Sequence, residues 1–136
     1  MKPFTFFLAL LLTTLGASYA QTKNKAPQIN YLMVDGKKAP GTAYLNPGEK
    51  YLVKVSAADP ENDKITAKWE LFHESELTAA AEKKRKPIAI PDMVTGSLEN
   101  VILDVPIEAG PYRLFLQVSD IHKNTSSTSI ALIVLK

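Results

Sequence analysis

The segment YLVKVSAADPENDKITAKWEL, Tyr51–Leu71, decides the fold because it joins two alternating stretches through an acidic turn. Apolar side chains recur at every second position in both stretches: Tyr51, Val53, Val55 and Ala57 in the first, and Ile65, Ala67, Trp69 and Leu71 in the second. A period of two is typical of half-buried strands. The segment therefore predicts two consecutive strands, with the only tryptophan of the chain facing the core.

The same alternation recurs outside this segment. The predicted inner sets are Ile29, Tyr31 and Met33; Val101, Leu103 and Val105; Tyr112, Leu114, Leu116 and Val118; and Ile130, Leu132 and Val134. Asp35-Gly36 and the Asn46–Lys50 stretch are turn signals between strands. About seven short strands with turns at regular spacing predict an all-β sandwich.

One stretch departs from the β pattern, namely ESELTAAAEKKRKP from Glu74 to Pro87. Glutamates come first, alanines follow, and lysines and an arginine precede the closing proline. This order suits the helix dipole, which favours anions at the start and cations at the end. We expect a helix of two to three turns inserted between strands, with the basic run Lys83–Lys86 as its solvated end.

The first twenty residues have the pattern of a signal peptide. Lys2 precedes an apolar run from Phe4 to Gly16, and Ser18 and Ala20 place small residues before a cleavage point. The run is shorter than the roughly 20 apolar residues that a membrane span needs. We therefore expect a bacterial periplasmic or extracellular protein with no membrane span after cleavage, a flexible lead-in over residues 21–27 and a single domain over 28–136.

Composition excludes several classes of function. Without Lys2, 15 basic side chains stand against 14 acidic ones, a balance that argues against nucleic acid as a partner. The absence of cysteine rules out disulfides and a thiol nucleophile. Neither histidine, His73 or His122, has a serine or aspartate at motif spacing, and two histidines alone make no zinc site. We expect no catalytic residues.

Two blocks, Tyr51–Leu71 and AGPYRLFLQVSDIHKNTSSTSIALIV from Ala109 to Val134, resemble immunoglobulin-like sandwiches of the polycystic-kidney-disease (PKD) and cadherin-like group. The resemblance implies a core position for Trp69 and a tyrosine corner at Tyr112. The segments APQINYLMVDGKKA and LNPGEKY are similar to sequence motifs in the C-terminal accessory domains of bacterial secreted glycoside hydrolases. That likeness implies an association with glycan breakdown, without the catalytic domain of those enzymes.

The acidic turn has two interpretations. In an immunoglobulin-like sandwich, its carboxylates would lie at the same end as the loop before the last strand, which brings together Asp59, Glu61, Asp63 and Asp120. Such a cluster suits calcium, which takes six to eight oxygen ligands, and some relatives bind calcium at this end. Alternatively, these residues are turn formers whose side chains bond the local backbone, with Lys64 and Lys123 neutralising their charge.

The outward aromatics also have two interpretations. Along their predicted strands, Phe72 and Phe115 stand an odd number of positions from the inward-facing Trp69 and Leu116. Since successive side chains of a strand point to opposite faces, they should project from the outer face of neighbouring strands. An exposed pair of this kind could stack on sugar rings. In the alternative interpretation, the inserted helix covers the two rings with Leu77, Ala80 and Ala81.

These observations favour a non-catalytic exported accessory or interaction domain associated with polysaccharide utilisation. A carbohydrate-binding module that uses the outward aromatics is the alternative. A third hypothesis is a non-autonomous fragment or partner of a glycoside hydrolase. The expected partner is a glycan or another envelope protein.

Overall fold

Strands with one apolar face make up about half of the computed structural model, which describes residues 23–136. The predicted signal peptide lies outside this range. In chain order the elements are β1 Gln28–Val34, β2 Lys37–Lys38, β3 Thr42–Leu45, β4 Lys50–Ala58, β5 Thr66–His73, α1 Glu74–Glu82, β6 Val94–Thr95, β7 Val101–Asp104, β8 Gly110–Ser119 and β9 Thr125–Val134. The described range thus holds nine strands rather than about seven, two of them only two residues long.

The strands form two packed sheets. One has the order β2-β1-β4-β7-β6 and is antiparallel throughout, and the other has the order β3-β9-β8-β5. In the second sheet β3 runs parallel to β9, whereas β8 pairs antiparallel with both β9 and β5. The all-β, immunoglobulin-like sandwich with a short inserted helix is therefore confirmed.

The core lies between the sheets and contains most of the predicted inner residues. The inward-facing apolar residues of β7, β8 and β9 are almost fully buried: Val101, Leu103, Leu114, Leu116, Val118, Ile130, Leu132 and Val134. Trp69 is half-buried and packs against this cluster, and its indole Nε1–H donates to the Ser97 carbonyl at 2.7 Å. Because Ser97 lies between β6 and β7, this bond fastens β5 to the opposite sheet.

The predicted inner set of β1 is correct at Ile29, which packs against the core, and wrong beyond it. Leu32 and Val34 are the buried residues, whereas Tyr31 is 38% exposed. The pairing of β1 with β4 shifts register between Ile29 and Tyr31. A bulge of this kind moves every following side chain to the other face, so simple alternation from Ile29 assigns the wrong face.

Strand β3 was absent from the sequence prediction because its four residues are too few to establish a period. Ala43 and Leu45 are fully buried, while Tyr44 between them is 59% exposed. The chain reaches this second sheet through Gly41, where a Cβ would lie 2.8 Å from the carbonyl oxygen of Lys38. Glycine is therefore required at this crossing.

The helix has the predicted length of two to three turns, but the basic run Lys83–Lys86 lies beyond its end instead of forming it. Lys84 has φ 51°, so the chain leaves helical geometry there. Arg85 turns back to Glu76, with Nη1–Oε1 and Nη2–Oε2 distances of 2.6 and 3.2 Å. Oε1 also accepts the Ile88 N–H at 2.9 Å, so one glutamate secures the return segment to the helix.

The hydrogen bonds to Glu76 predict a pH-dependent stability. The Arg85 guanidinium, followed by the Ile88 N–H, lowers the pKa of Glu76 from 4.5 to about 2. A carboxylate with a depressed folded-state pKa stabilises the fold above its unfolded pKa, and this stabilisation is lost as the pH falls through the folded value. We expect urea unfolding of wild type and Glu76→Gln to differ at pH 7 and to converge between about pH 4.5 and 2. A difference that stays constant over this range would contradict the assignment.

Candidate cation site and aromatic pocket

Two loops meet at one end of the sandwich: the β4–β5 loop, residues 59–65, and the β8–β9 loop, residues 120–124. Asp59, Asp63 and Asp120 each place a carboxylate oxygen there, and these oxygens lie within 4.8 Å of one another. The predicted convergence of Asp59 with Asp120 is therefore confirmed. Glu61 lies outside this group, and its Oε1 accepts the Lys25 N–H at 3.2 Å.

The two loops share one local conformation. Asp59 Oδ1 accepts the N–H groups of Glu61 and Asp63, two and four residues on, at 2.9 and 3.1 Å. Asp120 Oδ1 likewise accepts the N–H groups of His122 and Asn124, at 2.8 and 2.9 Å. The turn-former interpretation is thus correct for both aspartates, since these are local side-chain–backbone bonds.

The third residue after each aspartate also matches between the loops. Asn62 and Lys123 both adopt positive φ, 58° and 65°, and donate their N–H groups to the carbonyls of Asp59 and Asp120. The fourth positions, Asp63 and Asn124, present a carboxylate and an amide to the space between the loops. The sequence signal for this pairing is Asp-x-x-(Asn/Lys)-(Asp/Asn) in both loops. Each loop therefore brings side-chain oxygens into the same space.

The backbone hydrogen bonds of the first loop leave one carboxylate oxygen of Asp59 without a donor. Asp59 is only 7% exposed, and its Oδ2 is buried without any hydrogen-bond partner. Burial of a polar atom without a partner costs about 1–3 kcal/mol, and more for a charged group. Since Oδ1 is engaged by the turn, Oδ2 is the atom of Asp59 that is free to bind a ligand.

Asp120 is also 7% exposed, but its oxygens are better paired. Its Oδ2 accepts the Asn124 side-chain N–H at 3.0 Å. Burial raises the pKa of Asp120, yet the hydrogen bonds from the Asn124 side chain, the Asn124 N–H and the His122 N–H outweigh it and bring the pKa below its usual value. This carboxyl is therefore ionised at neutral pH.

Little positive charge lies close to these carboxylates. Within residues 23–136, neither Lys64 nor Lys123 approaches a carboxylate within 4.0 Å, contrary to the expected neutralisation. His122 Nε2 lies 3.7 Å from Asp63 Oδ2 and is more than half exposed. The three clustered carboxylates are an oxygen donor set that suits a hard divalent cation such as calcium.

The lead-in was expected to be flexible, but its described part is anchored to this site. Asn24 donates to Asp63 Oδ2 at 3.0 Å and accepts from the Asn124 side chain at 2.8 Å, so it bridges the two loops. Pro27 is fully buried, and its carbonyl accepts a hydrogen bond from the Ser126 hydroxyl. Residues 24–27 therefore belong to the folded unit.

The aromatic pair lies on the outer face of the second sheet, as its parity indicates. Phe72 and Phe115 contact each other edge to face, with ring centroids 5.5 Å apart. Phe72 is only 4% exposed, so the hypothesis that both rings are exposed is wrong for this residue. Of the helix residues expected to form the cover, Ala80 is buried and Leu77 is half-buried and lies beside Phe72, while Ala81 is exposed.

Helix α1 leaves a hollow beside the pair rather than closing over both rings. Phe115 is half-buried and lines a cavity of about 250 Å³ together with Phe72, Leu77 and Pro87. Lys68, Glu70, Leu116, Gln117 and Ser127 complete its lining. The predicted burial thus holds for Phe72, whereas Phe115 remains partly accessible.

Tyr112 has the structural role implied by the resemblance. It is 2% exposed at the start of β8, and its hydroxyl donates to the Glu108 carbonyl at 2.9 Å. Burial, with the Glu108 charge as a smaller contribution, raises the pKa of Tyr112. A hydroxyl bond to the backbone four residues upstream is the tyrosine-corner arrangement.

His73 has a structural role at the start of the inserted helix. His73 is the N-cap of α1, where Nδ1 accepts the Ser75 N–H at 3.1 Å and also lies 2.7 Å from the Ser75 hydroxyl. Its Nε2 faces Gly110, where a Cβ would come within 3.1 Å, and its ring packs against Tyr112. A base that activates a serine needs a group to orient it and a site for the reacting atom, and His73 is instead used to begin a helix.

Comparisons with known proteins give similarity at the level of fold. No model of a protein family matches the chain, and a search of curated proteins finds no match. Among solved structures, it is similar to a hypothetical protein related to nucleoside hydrolases from Saccharophagus degradans that is associated with carbohydrate metabolism (15% identity, TM-score 0.49, covering 82% of this chain and 25% of that chain). A candidate α-galactosidase from Bacteroides fragilis is similar at 13% identity and TM-score 0.47, covering 82% of this chain and 18% of that chain.

A third similar structure is the PKD domain of an M14-like peptidase from a Thermoplasmatales archaeon (14% identity, TM-score 0.45). The match covers 83% of this chain and 96% of that domain. By contrast, the chain spans a quarter or less of the other two proteins.

Over residues 23–136, no helix has the length and apolar character needed to cross a bilayer.

Proposed function

We propose that this chain is an exported, non-catalytic accessory module that acts alongside polysaccharide utilisation by binding a glycan or another envelope protein. The observation that carries the proposal is that buried and half-buried ionisable side chains hydrogen-bond the local backbone. Asp59 and Asp120 each hold their own loop through two backbone N–H groups, and His73 caps a helix. Groups committed to local backbone bonds are poorly placed to exchange protons with a substrate.

Calcium binding at the loop end is the second part of this proposal. Asp59 Oδ2 is buried without a partner beside Asp63 and Asp120, so a cation there would give it the compensation that the protein does not supply. Calcium accepts carboxylate, amide and water oxygens in flexible geometry, so three carboxylates with added waters suit it. A bound ion would join the two loops and the Asn24 segment that bridges them.

Isothermal titration calorimetry of the metal-free protein tests the calcium assignment. We expect a single site with a dissociation constant of about 10⁻⁴ to 10⁻³ M, the range of extracellular modules. Asp59→Asn should weaken binding by about tenfold or more, because it removes the charge of the unpartnered carboxylate. Glu61→Gln is the matched control, since it removes one charge from the same loop outside the group, and its constant should stay close to that of wild type.

Incubation of the same protein with polysaccharides tests the non-catalytic role. We expect no new reducing ends from cellulose, xylan or mannan, at any calcium concentration. Release of sugar that disappears in a variant of one carboxylate would overturn the proposal.

A further inference from the structure

The cavity beside α1 combines an aromatic floor with apolar walls. The ring of Phe115 is half-buried, and the edge-to-face contact with buried Phe72, at 5.5 Å between centroids, fixes its orientation. Leu77 from the helix and Pro87 from the return segment line the cavity on the helix side. A volume of about 250 Å³ lies just below the roughly 300–1,000 Å³ of drug-sized pockets, so the cavity suits one small ring or the end of a longer chain.

The polar lining of this cavity carries donors and acceptors with no net charge. Lys68 and Glu70 project from β5 and pair with each other at 3.7 Å. Gln117 and Ser127, both exposed, add an amide and a hydroxyl from β8 and β9. Such a lining offers hydrogen bonds of both kinds without attracting a charged ligand, so it favours a neutral ligand rich in hydroxyl groups.

The helix side of the cavity is held in place before any ligand binds. Arg113 Nε donates to Glu74 Oε1 at 2.8 Å, which ties the start of the helix to β8. Glu76 holds Arg85 and the Ile88 N–H, which fixes the return segment that carries Pro87. A preformed cavity lowers the entropy cost of binding.

We infer that this cavity, with Phe115 as its stacking surface, is a binding site for one neutral sugar residue of an oligosaccharide. The C–H face of a pyranose ring packs on the aromatic ring, and its hydroxyl groups bond Gln117, Glu70 and Lys68. The remaining sugars extend past the exposed side chains of Gln117 and Ser127 into solvent. The inference deepens the proposed function, on which the choice of a glycan rests, by naming the ligand class and its site.

Amide chemical-shift titrations test this site directly. The protein, labelled with ¹⁵N, is titrated with cellopentaose, xylopentaose, mannopentaose and maltopentaose as separate probes. We expect at least one probe to shift the amides of β5, β8 and the 85–88 segment, with a dissociation constant of about 1 mM or tighter. Phe115→Ala should weaken that binding by about tenfold or more, because it removes the stacking surface.

Two further variants separate binding from folding. Phe115→Tyr keeps the ring and should retain binding, while Tyr44→Ala removes a 59% exposed aromatic from β3, at the opposite edge of the same sheet, and should leave binding unchanged. Gln117→Ala, at an exposed position, should weaken binding with the fold intact.

Three results would overturn the inference: no shift with any of the four probes, shifts that map away from this cavity, or equal binding by Phe115→Ala and wild type. A protein that binds calcium and cuts no polysaccharide, yet gives one of these results, would keep the proposed function and lose this site.

Discussion

Calcium at 10 mM should raise the thermal midpoint of the metal-free protein by about 5–10 °C, since a ligand at 10 to 100 times its dissociation constant adds about 1.4–2.7 kcal/mol to the free energy of unfolding. The physical reason is specific to one atom. Asp59 Oδ2 is buried without a partner, and carboxylate oxygens of Asp59, Asp63 and Asp120 lie within 4.8 Å of one another. Without an ion, the negative charges of these three carboxylates repel one another in the folded state. With an ion, the same oxygens become ligands.

Which of the two proteins, wild type or Asp59→Asn, is more stable should depend on whether calcium is present. In chelator, it should melt at or above the wild-type midpoint, because the amide removes a buried charge and supplies a donor to its neighbours. In 10 mM calcium, it should melt below wild type, because it gains little from the ion. Differential scanning calorimetry in the two buffers measures both midpoints.

Magnesium chloride at the same concentration is the control for ionic strength. It should shift the midpoint much less than calcium, because magnesium requires near-ideal octahedral geometry and gives up its waters reluctantly. Equal shifts from both salts, or a calcium shift that persists in Asp59→Asn, would contradict the site.

The largest loss of stability should come from Leu114→Ala. Leu114 is fully buried on β8, the strand between β9 and β5, and it faces the opposite sheet. Truncation of a buried leucine removes transfer free energy and leaves a cavity, at a cost of about 2–5 kcal/mol. Urea unfolding followed by tryptophan fluorescence measures the change, because Trp69 packs against the same core.

Gln117→Ala provides the matched control on the same strand. Gln117 is exposed on the outer face, so its loss should change the free energy of unfolding by no more than about 0.5 kcal/mol. If the two variants were equally stable, or if Leu114→Ala cost less than Gln117→Ala, the two sheets would not pack through the inner face of β8.

The sequence predicts the central strands well because their alternation is long and uninterrupted. In β8 the ten residues Gly110–Ser119 alternate between faces without a break, and their buried members are those predicted. The inward position of Trp69 follows from the same parity. In β1 a bulge breaks the register, and in β3 four residues are too few for a period, so local patterning fails in both.

The helix was located correctly but its end was not. Charge order predicted that Lys83–Lys86 would complete the last turn, yet Arg85 leaves the helix to pair with Glu76, nine residues earlier. A pairing of this kind depends on where the return segment crosses the helix, which charge order along the chain does not specify. The dipole argument therefore predicts the start of a helix better than its end.

At the candidate cation site, the sequence indicated which loops meet but not how each side chain is used. Asp59 and Asp120 were expected to be either turn formers or ligands, and the structure shows that one oxygen of Asp59 serves the turn while the other is free. Glu61 and Asp63 are two positions apart in one loop, and only Asp63 reaches the group. Between them lies Asn62, at φ 58°, a backbone conformation that the alternation of residue types does not specify.

The most direct measurement of the central claim is a crystal structure of the protein grown in calcium, with anomalous difference density collected at long wavelength. We expect one peak between the two loops, about 2.3–2.6 Å from Asp59 Oδ2 and from an oxygen of both Asp63 and Asp120. A map with no peak there, and with a water or a lysine ammonium against Asp59 Oδ2 at saturating calcium, would contradict the account.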